Sequence, residues 1–113
     1  MNTQALETLQ LEENKTLLAS LKEAGDKSEV ARIIVHKLEF ISEYKKSDLL
    51  EELEILGFQV TDKFVTEEGY NGLMFQREDK TDDETIKQLS LQLIALLDEY
   101  DARYGGWITE VIK

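Results

Sequence analysis

Two hydrophobic periodicities alternate along this chain, and the order in which they alternate constrains the fold more than any single residue does. A helical spacing comes first: Leu6, Leu9, Leu17, Leu18, Leu21 and Ala24 share a stripe, and Gly25 stands where a helix C-terminus takes positive φ, with Asp26-Lys27-Ser28 as the loop after it. The β-branched run from Val30 to Phe40 then has the composition of a strand. We expect it to be the first and central strand, buried on both faces at its start and on one face later.

The second half repeats the alternation. Ser42 or Ser47 is placed to cap a helix whose Leu49, Leu50, Leu53 and Leu56 lie on one face, with Glu51, Glu52 and Glu54 elsewhere and Gly57 as its end. Phe58 to Thr61 and Leu73 to Arg77 read as a strand hairpin joined by a connection containing Gly69 and Asn71-Gly72. Thr81-Asp82-Asp83-Glu84 has the form of a capping box, opening a helix that runs to about Tyr100 with Ile86, Leu89, Leu93, Leu96/Leu97 and Tyr100 along one stripe. Adjacent Gly105 and Gly106 are expected to end that helix with a sharp turn and launch Trp107 to Ile112 as the last strand.

After the first helix the order is therefore β-α-β-β-α-β. With right-handed crossovers this is an α+β, ferredoxin-like arrangement: a four-stranded antiparallel sheet of order 4-1-3-2 with an extra N-terminal helix. Both crossover helices fall on one face. The other face is open unless the N-terminal helix or a second subunit covers it, so a homo-dimer through that face is one arrangement the topology allows. The 113 residues are expected to form one domain, 1–113, with the N-terminal helix at about 3–24 and the sheet core at about 30–112.

Charge narrows the function classes. A formal net charge of −11 repels phosphate backbones, so direct nucleic-acid binding is disfavoured. Acidity of this size either keeps a small protein soluble or presents a surface to a basic partner, and composition does not choose between them. The chain has no Cys, which excludes disulfides and thiolate sites and fits a cytoplasmic location. Glu7, Glu12 and Glu13 interrupt every apolar run near the start, so neither a signal peptide nor a membrane span is expected there.

Catalytic chemistry finds little support. His36 is the single His, and strict alternation places it with Ile34, Leu38 and Phe40 on one strand face, as a core or interface imidazole without a cysteine or a nucleophile-elbow serine to serve. Glu67-Glu68, Glu78-Asp79, Asp82-Asp83-Glu84 and Asp98-Glu99-Asp101 are expected as turns, caps and solvated helix faces. Gly69-Tyr70-Asn71-Gly72 has no helix or Lys-Ser/Thr pair after it, as a phosphate cradle needs. No catalytic residue, cofactor or metal site is expected. Phe75 and Tyr100 are expected in the core, whereas Tyr104 and Trp107 suit either packing or contact with a partner.

Four segments together resemble the regulator of ribonuclease activity B family: a helix ending at Gly25-Asp26, the Ile34-Val35-His36 strand, the Leu56-Gly57-Phe58-Gln59-Val60-Thr61-Asp62 junction, and Tyr104-Gly105-Gly106-Trp107. The resemblance covers about Leu17 to Val111. It implies a ferredoxin-like fold and a non-enzymatic protein that binds ribonuclease E and restrains its RNA cleavage by protein–protein contact. His36, Asp101, Tyr104, Gly106 and Trp107 become the candidate signature or interaction residues. Gly105 stands where the family usually has Asp, and Lys37 where a second His often follows the first. Two other readings stay open: a small-ligand-binding or sensor domain that uses the open sheet face with His36 or Trp107 lining a pocket, and an immunity-type protein that neutralises a toxin.

Overall fold

A computed structural model of the chain describes residues 3–113; Met1 and Asn2, the first two residues of the expected domain, lie outside the described residues. The elements follow as α1 (Gln4–Glu23), β1 (Arg32–Phe40), α2 (Lys46–Ile55), β2 (Gln59–Val65), β3 (Asn71–Asp79), α3 (Asp83–Glu99) and β4 (Ala102–Thr109). The strands form one sheet in the order β2-β3-β1-β4, every neighbouring pair antiparallel. This is the 4-1-3-2 order expected from the sequence, read from the other edge.

Alternation along β1 decides what the sheet faces. Arg32, Ile34, His36, Leu38 and Phe40 are buried while the residues between them are exposed or half-buried, from the first residue of the strand onward. The expectation of a start buried on both faces therefore fails: Ile33 is 46% exposed, because no element among the described residues covers its side of the sheet. On the covered side, Leu49 and Leu53 of α2 and Ile86, Leu93, Ile94 and Leu97 of α3 meet Ile34, Leu38, Leu73 and Phe75 in one continuous core. Each fully buried side chain of this size stabilises by roughly 1.5–3 kcal/mol relative to solvent exposure.

α1 does not cover the open face. It joins the helix layer against α3, with Leu6, Leu17 and Leu21 half-buried and the polar Gln10 and Asn14 at the centre of its inward line. Leu9 lies aside at 64% exposure, off the stripe expected from its spacing. Gly25 and Gly57 take φ of +87° and +89° just beyond α1 and α2, as expected of helix terminators. The helix starts differ from expectation. α2 begins after Lys45 with no side-chain cap, and Ser42 instead accepts from the Tyr44 amide. α3 is capped by Asp82, whose carboxylate accepts from the Thr85 amide, so Thr81 is not the cap.

Thr81 is drawn off by a second centre. Its hydroxyl donates to Asp26 Oδ2 at 3.0 Å, while Asp26 Oδ1 accepts from Arg32 Nη1 and from the Ile112 amide, both at 2.7 Å. Arg32 also donates to the carbonyls of Val30, Lys27 and Glu110. Burial alone raises the Asp26 pKa, but the hydrogen bonds from Arg32, Ile112 and Thr81 outweigh it and hold the carboxyl below its usual range. An Asp read as loop thus joins the end of α1, the start of β1, the approach to α3 and the segment after β4.

The hairpin strands are longer than expected. β2 extends to Val65 and β3 starts at Asn71, leaving Thr66 to Tyr70 as the connection, closed by Thr66 N donating to Tyr70 O at 2.8 Å. Asn71-Gly72 is therefore strand, where Gly72 lies beneath the Phe64 ring.

Candidate protein-interaction site

The link between α3 and β4 differs from the joint expected of the glycine pair. α3 closes at Tyr100, and the chain turns at Asp101, which takes φ of +57°, a conformation that Asp tolerates better than most side chains. The Asp101 carbonyl accepts from the Ile41 and Ser42 amides at 2.9 and 3.2 Å, which fixes the corner. β4 starts at once with Ala102, so Gly105 and Gly106 lie inside the strand. There His36 pairs with Trp107 and Leu38 with Tyr104, so one residue, Lys37, faces both glycines across a β-bulge. Gly106 takes φ of +97°, and a Cβ on Gly105 would stand 3.3 Å from the Lys37 Cβ.

The bulge keeps Tyr104 and Trp107 on the same covered side. Tyr104 OH and His36 Nδ1 are 2.7 Å apart, and the imidazole stacks on Phe75 at 5.2 Å with Phe58 edge-on at 5.7 Å. His36 Nε2 has no hydrogen-bond partner among the described residues. Burial, with a smaller contribution from the Arg77 charge, lowers the His36 pKa to about 3, so the ring is neutral near pH 7. Burial, together with the Glu13 charge, raises that of the Tyr104 hydroxyl. Trp107 Nε1 donates to Asn14 Oδ1 at 2.8 Å; the same oxygen accepts from Gln10, and Asn14 Nδ2 donates to Ser90 Oγ.

Of the signature residues, His36, Tyr104, Gly106 and Trp107 thus gather around one bulge, with Asp101 at the strand entrance. His36 and Trp107 face the helix layer and line no pocket on the open sheet face. Gln10, Asn14 and Ser90 were not singled out in the sequence. A buried indole N–H needs an acceptor, and two polar residues on the inward line of α1 were the available signal.

A solvent-facing surface lies at the C-terminal end of α3, beside the corner. The Tyr100 hydroxyl has a raised pKa through burial and through the charges of Glu52, Glu99, Asp48 and Glu51, in that order. Three of them, Asp48, Glu51 and Glu99, are exposed, and Glu52 is half-buried. Tyr100 itself is half-buried against the core. Lys45 partly offsets this charge: its ammonium donates to the Glu99 carbonyl at 3.0 Å and lies 4.0 Å from the Asp101 carboxylate. The patch joins α2 to the corner at Asp101, two segments that were separate acidic runs in the sequence.

The one imidazole is enclosed by aromatic rings, and among the described residues no group of three or more potential His or carboxylate ligands is placed to hold a metal ion. No helix among the described residues is long and apolar enough to cross a membrane.

No curated protein matches the chain at significance. The sequence profile described as regulator of ribonuclease activity B matches residues 11–109, from the inward face of α1 through the last residue of β4. With that match over most of its length and the ferredoxin-like sheet in place, the chain belongs to the regulator of ribonuclease activity B family.

Proposed function

We propose that this chain restrains an RNA-cleaving enzyme by binding it, performs no chemistry of its own, and presents the acidic patch around Tyr100 to a basic surface of that enzyme. Regulation of ribonuclease activity is the family's function. The observation that supports the finer reading is that the start of α2 meets the end of α3, where Lys45 reaches the Glu99 carbonyl and the Asp101 carboxylate, so that the charges of Asp48, Glu51, Glu52 and Glu99 all act on the half-buried Tyr100. Clustered carboxylates steer a cationic partner into place faster than the same charges scattered, and the Tyr100 ring supplies a rigid apolar anchor among them. RNA itself is not the partner in this reading, since the chain carries a net charge of −11. His36, Tyr104 and Trp107 hold the strand that leaves the corner.

The test is inhibition of RNA cleavage by ribonuclease E. The purified chain slows cleavage at low salt, and the effect fades once ionic strength screens charges beyond about 10 Å. A Glu51→Lys/Glu52→Lys/Glu99→Lys variant with unchanged melting loses at least about tenfold in affinity. Absence of both binding and inhibition at low salt excludes ribonuclease E as the target.

The uncovered sheet face favours a second reading, self-association, because Ile33 and Ile108 are 46% and 57% exposed on one side of the sheet. A dimer formed there is insensitive to salt and is broken by Ile108→Lys, as sedimentation measures.

A further inference from the structure

The valley between α1 and α3 reverses the sign of the molecule. Leu11, Leu18 and Ile86 form its apolar lining, Lys15 and Lys22 rise from α1, and Lys87 rises from α3, with Asp83 as the single acid, around a space of about 550 Å³. Three cations against one anion stand out in a chain of net charge −11. The four acids whose charges act on Tyr100 lie elsewhere: Lys87 and Glu99 are separated along α3 by about 18 Å of helix.

We propose that this valley is a docking groove for an acidic amphipathic helix of another protein, a site separate from the acidic patch. Three observations select that occupant. First, the valley-facing residues of α1 are Leu11, Asn14, Lys15, Leu18, Ala19 and Lys22, which recur at helical spacing along one face over about 16 Å, or three turns. A partner helix of the same length lies along such a valley with its apolar side down, as helix-in-groove recognition requires. Second, the lysines flank the apolar residues and all three are exposed, so carboxylates on both sides of the incoming helix find cations without losing their water. Third, Lys15, Ala19, Lys22, Asp83 and Lys87 on its rim are all exposed, so the valley opens to solvent and is accessible to an incoming helix. A second copy of this chain is a poor occupant: its net charge is −11, and the leucines of its acidic α2, Leu49 and Leu53, are fully buried in its own core.

The experiment uses the full chain and a fluorescein-labelled, designed helical peptide of about 12 residues, with Leu spaced i, i+4, i+7 and Glu on both flanks. Anisotropy at low salt shows binding, and a scrambled peptide of identical composition binds at least about tenfold more weakly. A Lys15→Glu/Lys22→Glu/Lys87→Glu variant, folded by circular dichroism, loses at least about tenfold in affinity for the ordered peptide. Equal binding of the scrambled peptide, or undiminished binding by the variant, overturns the proposal. If the free chain sediments as a dimer that the lysine variant dissociates, the occupant is a second copy and the assignment to a partner helix is wrong. Loss of ribonuclease binding by the Tyr100 patch leaves every one of these outcomes unchanged.

Discussion

The network around Asp26 is ionised, whereas the bonds around Asn14 and around His36 are neutral, and all are buried. Asp26 and Arg32 have side chains only 2% and 4% exposed, and each bonds to several separate segments. The neutral network, Gln10-Asn14-Ser90 with Trp107 and His36 with Tyr104, shares its work with aromatic area. The difference is in how each fails. A buried ion pair is costly to break because removing one partner leaves the other charge without compensation, although the intact pair adds little net stability. A neutral bond beside a large ring loses less when cut than the ring loses when removed.

Three substitutions separate these behaviours, taken from the largest effect down. Trp107→Ala removes the indole and its bond to Asn14 together, and urea denaturation should show a loss of about 3–5 kcal/mol. A folded variant of near wild-type stability would mean that the ring is not core. Asp26→Asn keeps the shape of the ionised centre but leaves the buried Arg32 charge uncompensated, with an expected loss of about 3–4 kcal/mol, the lower part of what breaking a buried pair costs. A loss below that range would show that the backbone carbonyls around Arg32 suffice, and the contrast between the networks would vanish.

The third is a pH experiment. His36 is held at a pKa of about 3 against an ordinary 6.5, so the unfolded chain takes up the proton first. Its contribution is complete above pH 6.5 and falls by at most about 1.4 kcal/mol per pH unit on acidification, until the folded ring also protonates near pH 3. Asp26, Asp82 and Glu43 also have lowered pKa values, but their contributions decline only below their ordinary values of 3.8, 3.8 and 4.5. Between about pH 6 and 5 the decline therefore belongs to His36, and His36→Phe should flatten stability there while leaving the steeper loss at lower pH. An unchanged slope in that window would show that the imidazole is not held neutral.

Periodicity made much of this legible. The leucines of α2 and α3, the alternation about His36 and the glycines after α1 and α2 are local signals, and the strand order followed from them. What stayed hidden was long-range. Asp26 looked like a loop residue because Thr81 and Ile112 lie 55 and 86 positions away. Arg32 at an inward position of a β-branched run was the one hint that a carboxylate had to be near. The glycine pair was assigned to the wrong job for a related reason: a single Asp in positive φ ends α3, and a bulge exists only relative to the strand opposite, here Lys37. The acids of the Tyr100 patch were visible as charge, but their common action on Tyr100 depends on how the start of α2 meets the end of α3.

The bulge opposite Lys37 has a consequence for crowding. β4 is an edge strand, and a straight edge offers its unpaired amides and carbonyls as a template for another chain. Two glycines against one lysine bend that edge and strengthen its twist, so an incoming strand loses register partway along. The opposite edge, β2, is interrupted in the same way at Thr61. With both margins kinked, neither edge of the four-stranded sheet offers a flat border on which a further strand could pair in register.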